Sequence, residues 1–185
     1  RASVAWALGV PASTLPLMAR TPEQSRVGFL SLLRHPRSLA VSVLTNLGTQ
    51  TGYYGLTLWS PTLIVHALGV PPARAAFYMI FITLAAFAGR IVISLLSEFI
   101  GRRMTGVLSG TAAVGALLIV ANVDSQAMHG AAFFLGCLAI AYFFGEGGFA
   151  VVGPYSAEVW PSRLRTTGMG AAYGFGGIGK IIGPL

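Results

Sequence analysis

Charged residues are scarce in this sequence, and their scarcity excludes an ordinary soluble protein. Only 9% of the 185 residues are Asp, Glu, Lys or Arg, whereas 55% are hydrophobic and the mean hydropathy is +0.74. Soluble domains carry roughly 25% charged residues. Glycine, by contrast, is abundant at 24 residues, which suits helices that pack closely within lipid. The composition therefore predicts a membrane protein built from several packed helices.

Cysteine and clustered metal ligands are also lacking, which argues against disulfide, metal and enzyme chemistry. The single cysteine, Cys137, cannot form a disulfide within the chain. His35, His66 and His129 are scattered, and no serine has the His and acid arrangement of a nucleophilic enzyme. The net charge of +7 does not indicate nucleic-acid binding, because in a membrane protein the positions of Lys and Arg matter more than their sum. We expect no metal, cofactor, nucleic-acid partner or enzymatic activity.

Five apolar stretches are long enough to cross a membrane as helices. A bilayer core about 30 Å thick requires on the order of 20 mostly apolar residues, and membrane strands would be shorter and alternating. The sequence therefore predicts an all-α membrane protein, with a helix bundle over residues 38–185 after a connecting segment, 1–37. The predicted helices cover residues 38–65, 75–97, 104–123, 130–153 and 167–185. The chain begins with Arg and ends within an apolar stretch, so we expect it to be a fragment.

The linker arginines predict the orientation of these helices. The arginines of the first, third and fifth linkers fall on one side of the membrane, and only Arg74 falls on the other. By the positive-inside rule, residues 1–37 and the loops near 98–103 and 155–166 are expected to be cytoplasmic, in a multi-pass protein of the cell membrane. The arginines on this side are Arg1, Arg20, Arg26, Arg34, Arg37, Arg102, Arg103, Arg163 and Arg165.

Three motifs carry a family resemblance. Glu98 lies three residues before Gly-Arg-Arg, in a loop that resembles the signature loop of the major facilitator superfamily. The polar strip 154–168, a predicted interfacial loop, reads Tyr-x-x-Glu-x-Trp-Pro-x-x-x-Arg-x-x-Gly-x-Gly from Tyr155. It resembles the loop after the tenth helix in sugar porters and metabolite:proton symporters. Residues 53–62, Tyr-Tyr-Gly-Leu-Thr-Leu-Trp-Ser-Pro-Thr, resemble the seventh helix of organic-acid symporters.

This resemblance implies the inter-domain loop, helices seven to ten and part of helix eleven of a twelve-helix transporter that needs its N-terminal half. It further implies secondary active uptake, by alternating access in the lipid bilayer, of a small organic solute such as an organic acid, with protons. The sugar porters' paired glutamines are absent, since only Gln50 is present, which disfavours a hexose. A sugar porter or drug exporter of the same superfamily is the alternative. A non-transporting membrane protein or membrane enzyme is the alternative from another class.

A polar stripe along the first predicted helix is the candidate substrate-binding surface. Its residues recur at spacings of three and four, which places them on one helical face. They either line a cavity or form interhelical hydrogen bonds worth roughly 0.6 kcal/mol each. The stripe consists of Asn46, Gln50, Tyr53, Tyr54 and Thr57.

Three charged residues fall inside predicted helices. Glu146 is a candidate for proton coupling, because a carboxylate at membrane depth must be either paired with a cation or protonated. A structural ion pair with another helix is the alternative. We expect Arg90 to extend toward the cytoplasmic interface rather than to bind substrate. Lys180 is open to either role.

Charged residues at the cytoplasmic helix ends are a candidate conformational latch. As isolated surface pairs they would contribute only about 0 to 1 kcal/mol each, whereas a partly buried network would favour the state closed to the cytoplasm. A solvated charge cluster is the alternative. The residues are Glu98, Arg102, Arg103, Glu158, Arg163 and Arg165.

Overall fold

The computed structural model describes residues 28–122 and 130–185, together with Gly9 and Pro11, and these residues include no strand. Most of the segment 1–37 and the linker 123–129 lie outside the described residues, as do Arg1, Arg20 and Arg26. A short 3-10 helix, Phe29–Arg34, precedes five α-helices. These are α1 Pro36–Leu68, α2 Pro72–Ile100, α3 Arg102–Asn122, α4 Ala131–Glu158 and α5 Arg165–Ile182.

The polar strip 154–168 differs from the loop that the sequence predicts. Its first five residues continue α4 to Glu158, and α5 begins at Arg165, so only residues 159–164 form the connection. Pro154 lies inside the helix, although proline removes one backbone donor. Ser156 and Trp160 just beyond it are 0% and 2% exposed, so tertiary packing holds this last turn in place.

Three of the five helices, α2, α3 and α4, are both long and apolar enough to cross a membrane by length and mean hydropathy. The other two, α1 and α5, do not reach the mean hydropathy that this criterion requires. Helix α1 carries the polar stripe, and α5 is rich in glycine. The two less apolar helices pack against each other. A Cβ at Gly179 of α5 would lie 2.7 Å from the Leu47 carbonyl oxygen of α1, so their backbones are in direct contact.

Helix α4 is the centre of the bundle and contacts the other four helices. Glycines bring α2 against it: a Cβ at Gly89 would overlap the Phe143 carbonyl group, and one at Gly147 would lie 3.0 Å from the Gly89 carbonyl oxygen. Small residues permit such close approach between membrane helices. The next residue after Gly89 is Arg90, and the residue before Gly147 is Glu146, so this contact also places two charged side chains together.

One end of the bundle gathers the 3-10 helix, the start of α1, the α2–α3 turn and the α4–α5 connection; we call it the arginine-rich end. The α2–α3 turn is made by Gly101, whose φ of 89° favours glycine. Ser38 at the start of α1 donates to the Val159 carbonyl oxygen at 2.9 Å. Beneath these contacts Trp160 packs with Leu32 and Leu164 in a small apolar cluster. The predicted cytoplasmic segments that are described therefore lie together.

Candidate functional site

Three aromatic side chains form a continuous row between α1 and α4. Tyr53 contacts Tyr54 and Phe149 edge to face, with ring centroids 5.1 Å apart in both pairs. All three rings are partly buried. Edge-to-face contacts of this kind stabilise an aromatic cluster beyond the area that it buries. We call these three residues the aromatic row.

A cation lies at each end of the aromatic row. The Arg90 guanidinium carbon is 5.8 Å from the centroid of Phe149, and the Lys180 Nζ is 5.3 Å from the centroid of Tyr54. Both distances lie within the range in which a cation is attracted to an aromatic face. Helices α2 and α5 therefore each contribute one positive charge to a surface whose centre is aromatic.

Glu146 is paired with Arg90. The Arg90 Nε donates to Glu146 Oε2 at 2.8 Å, and its Nη2 donates to the same oxygen. The glutamate side chain is only 8% exposed, whereas that of the arginine is 51% exposed. The Arg90 guanidinium thus lies beside the Glu146 carboxylate, next to the backbone contact between α2 and α4.

Lys180 has no acidic partner among the described residues, in contrast to Arg90. Its ammonium group is exposed and lies over Tyr54. Since Glu146 neutralises Arg90, the aromatic row and its flanking residues carry one net positive charge while the carboxylate is ionised. The site is therefore electrostatically suited to an anion.

The polar stripe of α1 is divided by the fold. Tyr53 and Tyr54 belong to the aromatic row, but Asn46 donates from its amide to the Ser42 carbonyl and to Ser156 Oγ, both at 2.8 Å. This arrangement matches the interhelical hydrogen bonding that the sequence left open. Asn46 lies with Ser42 and Ser156 in a buried polar contact between α1 and α4.

The other two stripe residues pack against other helices. Gln50 is 7% exposed and packs against α5, where a Cβ at Gly176 would lie 3.4 Å from its Cγ. The Thr57 hydroxyl is buried beside Tyr142, whose own hydroxyl donates to Ser60 Oγ at 2.9 Å.

Phe149 is the site residue that sequence reasoning missed. It lies three residues after Glu146, a spacing that places both on one face of α4. The sequence shows this spacing, but it does not distinguish Phe149 from the other apolar residues of α4, which lie on all sides of the helix.

A cavity of about 550 Å³ lies next to this site, between α1, α3 and α4. Its walls are mainly glycine and apolar side chains, with Tyr53 and Glu146 at its border. This volume falls within the range of small-molecule pockets, about 300 to 1,000 Å³. The glycines that permit close packing elsewhere leave open space here.

The six candidate latch residues do not form one network. Arg102 and Glu158 form an ion pair with a 2.8 Å separation, but their side chains are 39% and 54% exposed. Arg165 donates from Nε to the Ala157 carbonyl oxygen at 3.0 Å, at the end of α4. The other three, Glu98, Arg103 and Arg163, are exposed and form no ion pair within the described residues.

A helix bundle with charged and aromatic residues at mid-helix is typical of a multi-pass membrane transport protein, because ionisable residues at that depth are costly and serve solute or ion pathways. The sequence matches the Major Facilitator Superfamily over residues 3–184. The chain therefore belongs to this superfamily. The match confirms both the resemblance and the predicted all-α membrane fold, and the relatives are named as transporters, not enzymes.

Three similar proteins illustrate the chemistry within the family. The chain is 32% identical over 157 residues to a "Probable 4-methylmuconolactone transporter" of Cupriavidus pinatubonensis, covering 81% of this chain and 35% of the relative. It is 30% identical to a niacin transporter of Acinetobacter baylyi, and the match covers 96% of this chain and 39% of the relative. It is 28% identical to the cis,cis-muconate transport protein of the same organism, and this match covers 73% of this chain and 32% of the relative. The chain thus spans roughly a third of the length of these relatives.

Proposed function

We propose that this chain forms part of a carrier that moves a small organic anion with a planar, unsaturated body across the cell membrane, together with protons. The observation that carries the proposal is the aromatic row with Arg90 and Lys180 at its ends. The names of the relatives support this class of solute, since muconate, niacin and 4-methylmuconolactone are all small unsaturated metabolites.

The charge of the site favours an anion over a neutral sugar. Lys180 has no acidic partner within the described residues, and an unpaired cation at membrane depth is costly. A carboxylate that binds there offsets part of this cost. A neutral hexose would leave the lysine unpaired. It would also need several hydrogen-bonding side chains, whereas Asn46 and Ser60 of α1 already form hydrogen bonds with α4.

The aromatic row favours a proposed substrate with a planar, unsaturated carbon skeleton. Tyr53, Tyr54 and Phe149 present aromatic edges and faces, which favour stacking with a planar π system. The tyrosine hydroxyl groups supply hydrogen bonds for a ring nitrogen, a carbonyl or a second carboxylate. The proposed site therefore prefers an unsaturated or aromatic acid over a saturated acid of the same charge.

Proton coupling would follow from the single acid in the site. While Glu146 is ionised it occupies Arg90, and a substrate carboxylate must compete with it for the guanidinium. Protonation of Glu146 removes this competition and frees Arg90 for the substrate. Proton binding and anion binding at this site would thus favour each other, which is the linkage that a symporter requires.

Transport by alternating access would need a second six-helix half, with the site near the middle of the membrane between the halves. In this proposal the Arg102–Glu158 pair lies at the cytoplasmic surface, where it would contact the other half in the state closed to the cytoplasm. The exposure of the pair in the present bundle leaves both side chains accessible to such a partner.

The proposal is tested with the full-length protein in proteoliposomes. We expect uptake of nicotinate or cis,cis-muconate to be inhibited by other unsaturated acids and not by hexoses, and to alkalinise the external medium. Matched saturated acids should compete less well. Inhibition by hexoses would refute the anion site, and anion uptake without proton movement would refute the coupling.

A further inference from the structure

The 3-10 helix before α1 has one side fixed to the bundle and another that faces away from it. Leu32 is 1% exposed and packs in the cluster of Trp160 and Leu164. In contrast, Leu30 and Leu33 are 77% and 62% exposed. Residues three apart share a face of a 3-10 helix, so these two leucines form one outward apolar ridge. Phe29 beside them is also 57% exposed.

Three exposed arginines lie close to this ridge, either along the chain or in the neighbouring α4–α5 connection. Arg34 ends the 3-10 helix and Arg37 lies in the first turn of α1, and both are exposed. Arg163 is exposed next to Leu164, which packs against Leu32. None of the three has an acidic partner in the described residues. A ridge of leucine beside unpaired arginine is the combination that binds an anionic membrane surface, where apolar side chains enter the acyl boundary and cations meet headgroups.

The position of the ridge along the chain agrees with this partner. The 3-10 helix is separated from α1 by a single residue, and α1 enters the bundle at the arginine-rich end. The ridge therefore lies at the level where the helices leave the lipid. We infer that the segment Phe29–Arg34 is an interfacial anchor that binds anionic lipid headgroups through Arg34 and Arg37. The inference does not depend on the transported solute.

The anchor is tested by labelling the full-length protein with a fluorophore at a cysteine that replaces Leu30, in a Cys137→Ala background. Spin-labelled lipids with the quencher near the headgroup should quench this label, and more strongly in vesicles that contain phosphatidylglycerol than in phosphatidylcholine alone. The matched control is Ser162→Cys, an exposed position in the α4–α5 connection at the same end. It lies outside the ridge and should be quenched less.

The charge requirement is tested with Arg34→Gln and Arg37→Gln in the labelled protein. Each substitution should weaken binding of the segment Phe29–Arg34 to the lipid surface about fivefold, because one arginine near an anionic surface strengthens binding by about this factor. The effect is measured as the fraction of anionic lipid that gives half-maximal quenching. Equal quenching in both kinds of vesicle, or no effect of either substitution, would overturn the inference. A label shielded from both water and lipid would also overturn it, since the ridge would then be covered by protein.

Discussion

At the scale of single residues, the buried carboxylate of Glu146 pairs with the half-exposed guanidinium of Arg90. The carboxylate is 8% exposed and has Arg90 as its cation, while the arginine retains accessible donors. Tyr53 and Tyr142 also lie near this acid, and α3 contributes no ionisable group beyond its first two residues. Glu146 is therefore the residue to replace in a test of the negative charge at this pair.

We expect replacement of Glu146 to separate the proposed proton coupling from solute binding. In Glu146→Gln, we expect proton-driven accumulation of the solute to be lost and exchange of solute across the membrane to persist, because the neutral amide no longer competes as an anion for Arg90. Proteoliposome uptake with and without a pH gradient measures the first, and counterflow measures the second. Glu98→Gln is the matched control, since Glu98 is exposed and unpaired among the described residues. A pH gradient that still drives accumulation in Glu146→Gln would contradict the role.

We expect Lys180, at the other end of the aromatic row, to govern the affinity for the solute. Lys180→Met keeps the length and apolar stem of the side chain but removes its charge, and we expect the KM for an anionic solute to rise at least about tenfold. A hydrogen bond to a charged group contributes roughly 1.5 to 3 kcal/mol, and 1.36 kcal/mol corresponds to a factor of ten. Arg163→Gln removes a cation outside the site and is the comparison. Equal effects of the two substitutions on KM would point to general charge instead of binding.

At the scale of helices, close packing between α2 and α4 depends on two glycines whose neighbours are the charged pair. Gly147 and Gly148 provide a matched test, because a Cβ at Gly147 would press on Gly89 and Ile93, whereas one at Gly148 would meet no atom within 4 Å. We expect Gly147→Ala to lower stability by about 1 to 3 kcal/mol, the usual cost of overpacking. Gly148→Ala should be neutral or slightly stabilising, since alanine favours helix.

The two glycine variants are compared by the unfolding temperature and by uptake. Gly147→Ala should lose activity more than its stability alone explains, because Arg90 moves away from Glu146. If both variants behave alike, the packing at Gly147 does not position the pair.

The helices themselves were predictable from sequence, and the contacts of the site were not. Each of the five predicted segments overlaps one of the five α-helices, although α1 and α5 are less apolar than the criterion for a membrane span requires. Pro154 and the polar residues after it predicted a loop where α4 continues. Only tertiary packing of Ser156 and Trp160 reveals that last turn. Arg90 and Glu146 lie 56 positions apart, and nothing in their separate segments states that α2 and α4 are neighbours.

The polar stripe of α1 shows the same limit. Its spacing identified one helical face, and Tyr53 and Tyr54 on that face do join the aromatic row. The partners of Asn46 and Gln50 come from α4 and α5. A helical period cannot distinguish a side chain that meets another helix from one that meets open space.

At the scale of the whole molecule, the proposed carrier would close a second half against the arginine-rich end of this bundle. Because the Arg102–Glu158 pair is exposed, it contributes at most about 1 kcal/mol to folding. We expect Glu158→Gln and Arg102→Ala to slow transport while changing the unfolding temperature little. The doubly exchanged variant Arg102→Glu with Glu158→Arg should recover part of the rate if the pair acts within this half. Unchanged turnover at normal membrane abundance would count against the latch.

The backbone contact at Gly89 and Gly147 bears on the proposed proton coupling. Two helices that touch through their main chains cannot slide past one another without opening a gap or a clash, so the backbone positions of Arg90 and Glu146 are fixed relative to each other. We expect α2 and α4 to move as one rigid unit whichever side of the membrane is open. In the proposed carrier, the Arg90 guanidinium and the Glu146 carboxylate would then separate when a proton or a competing carboxylate arrives. The movement of the helices would only change the side of the membrane to which the site opens.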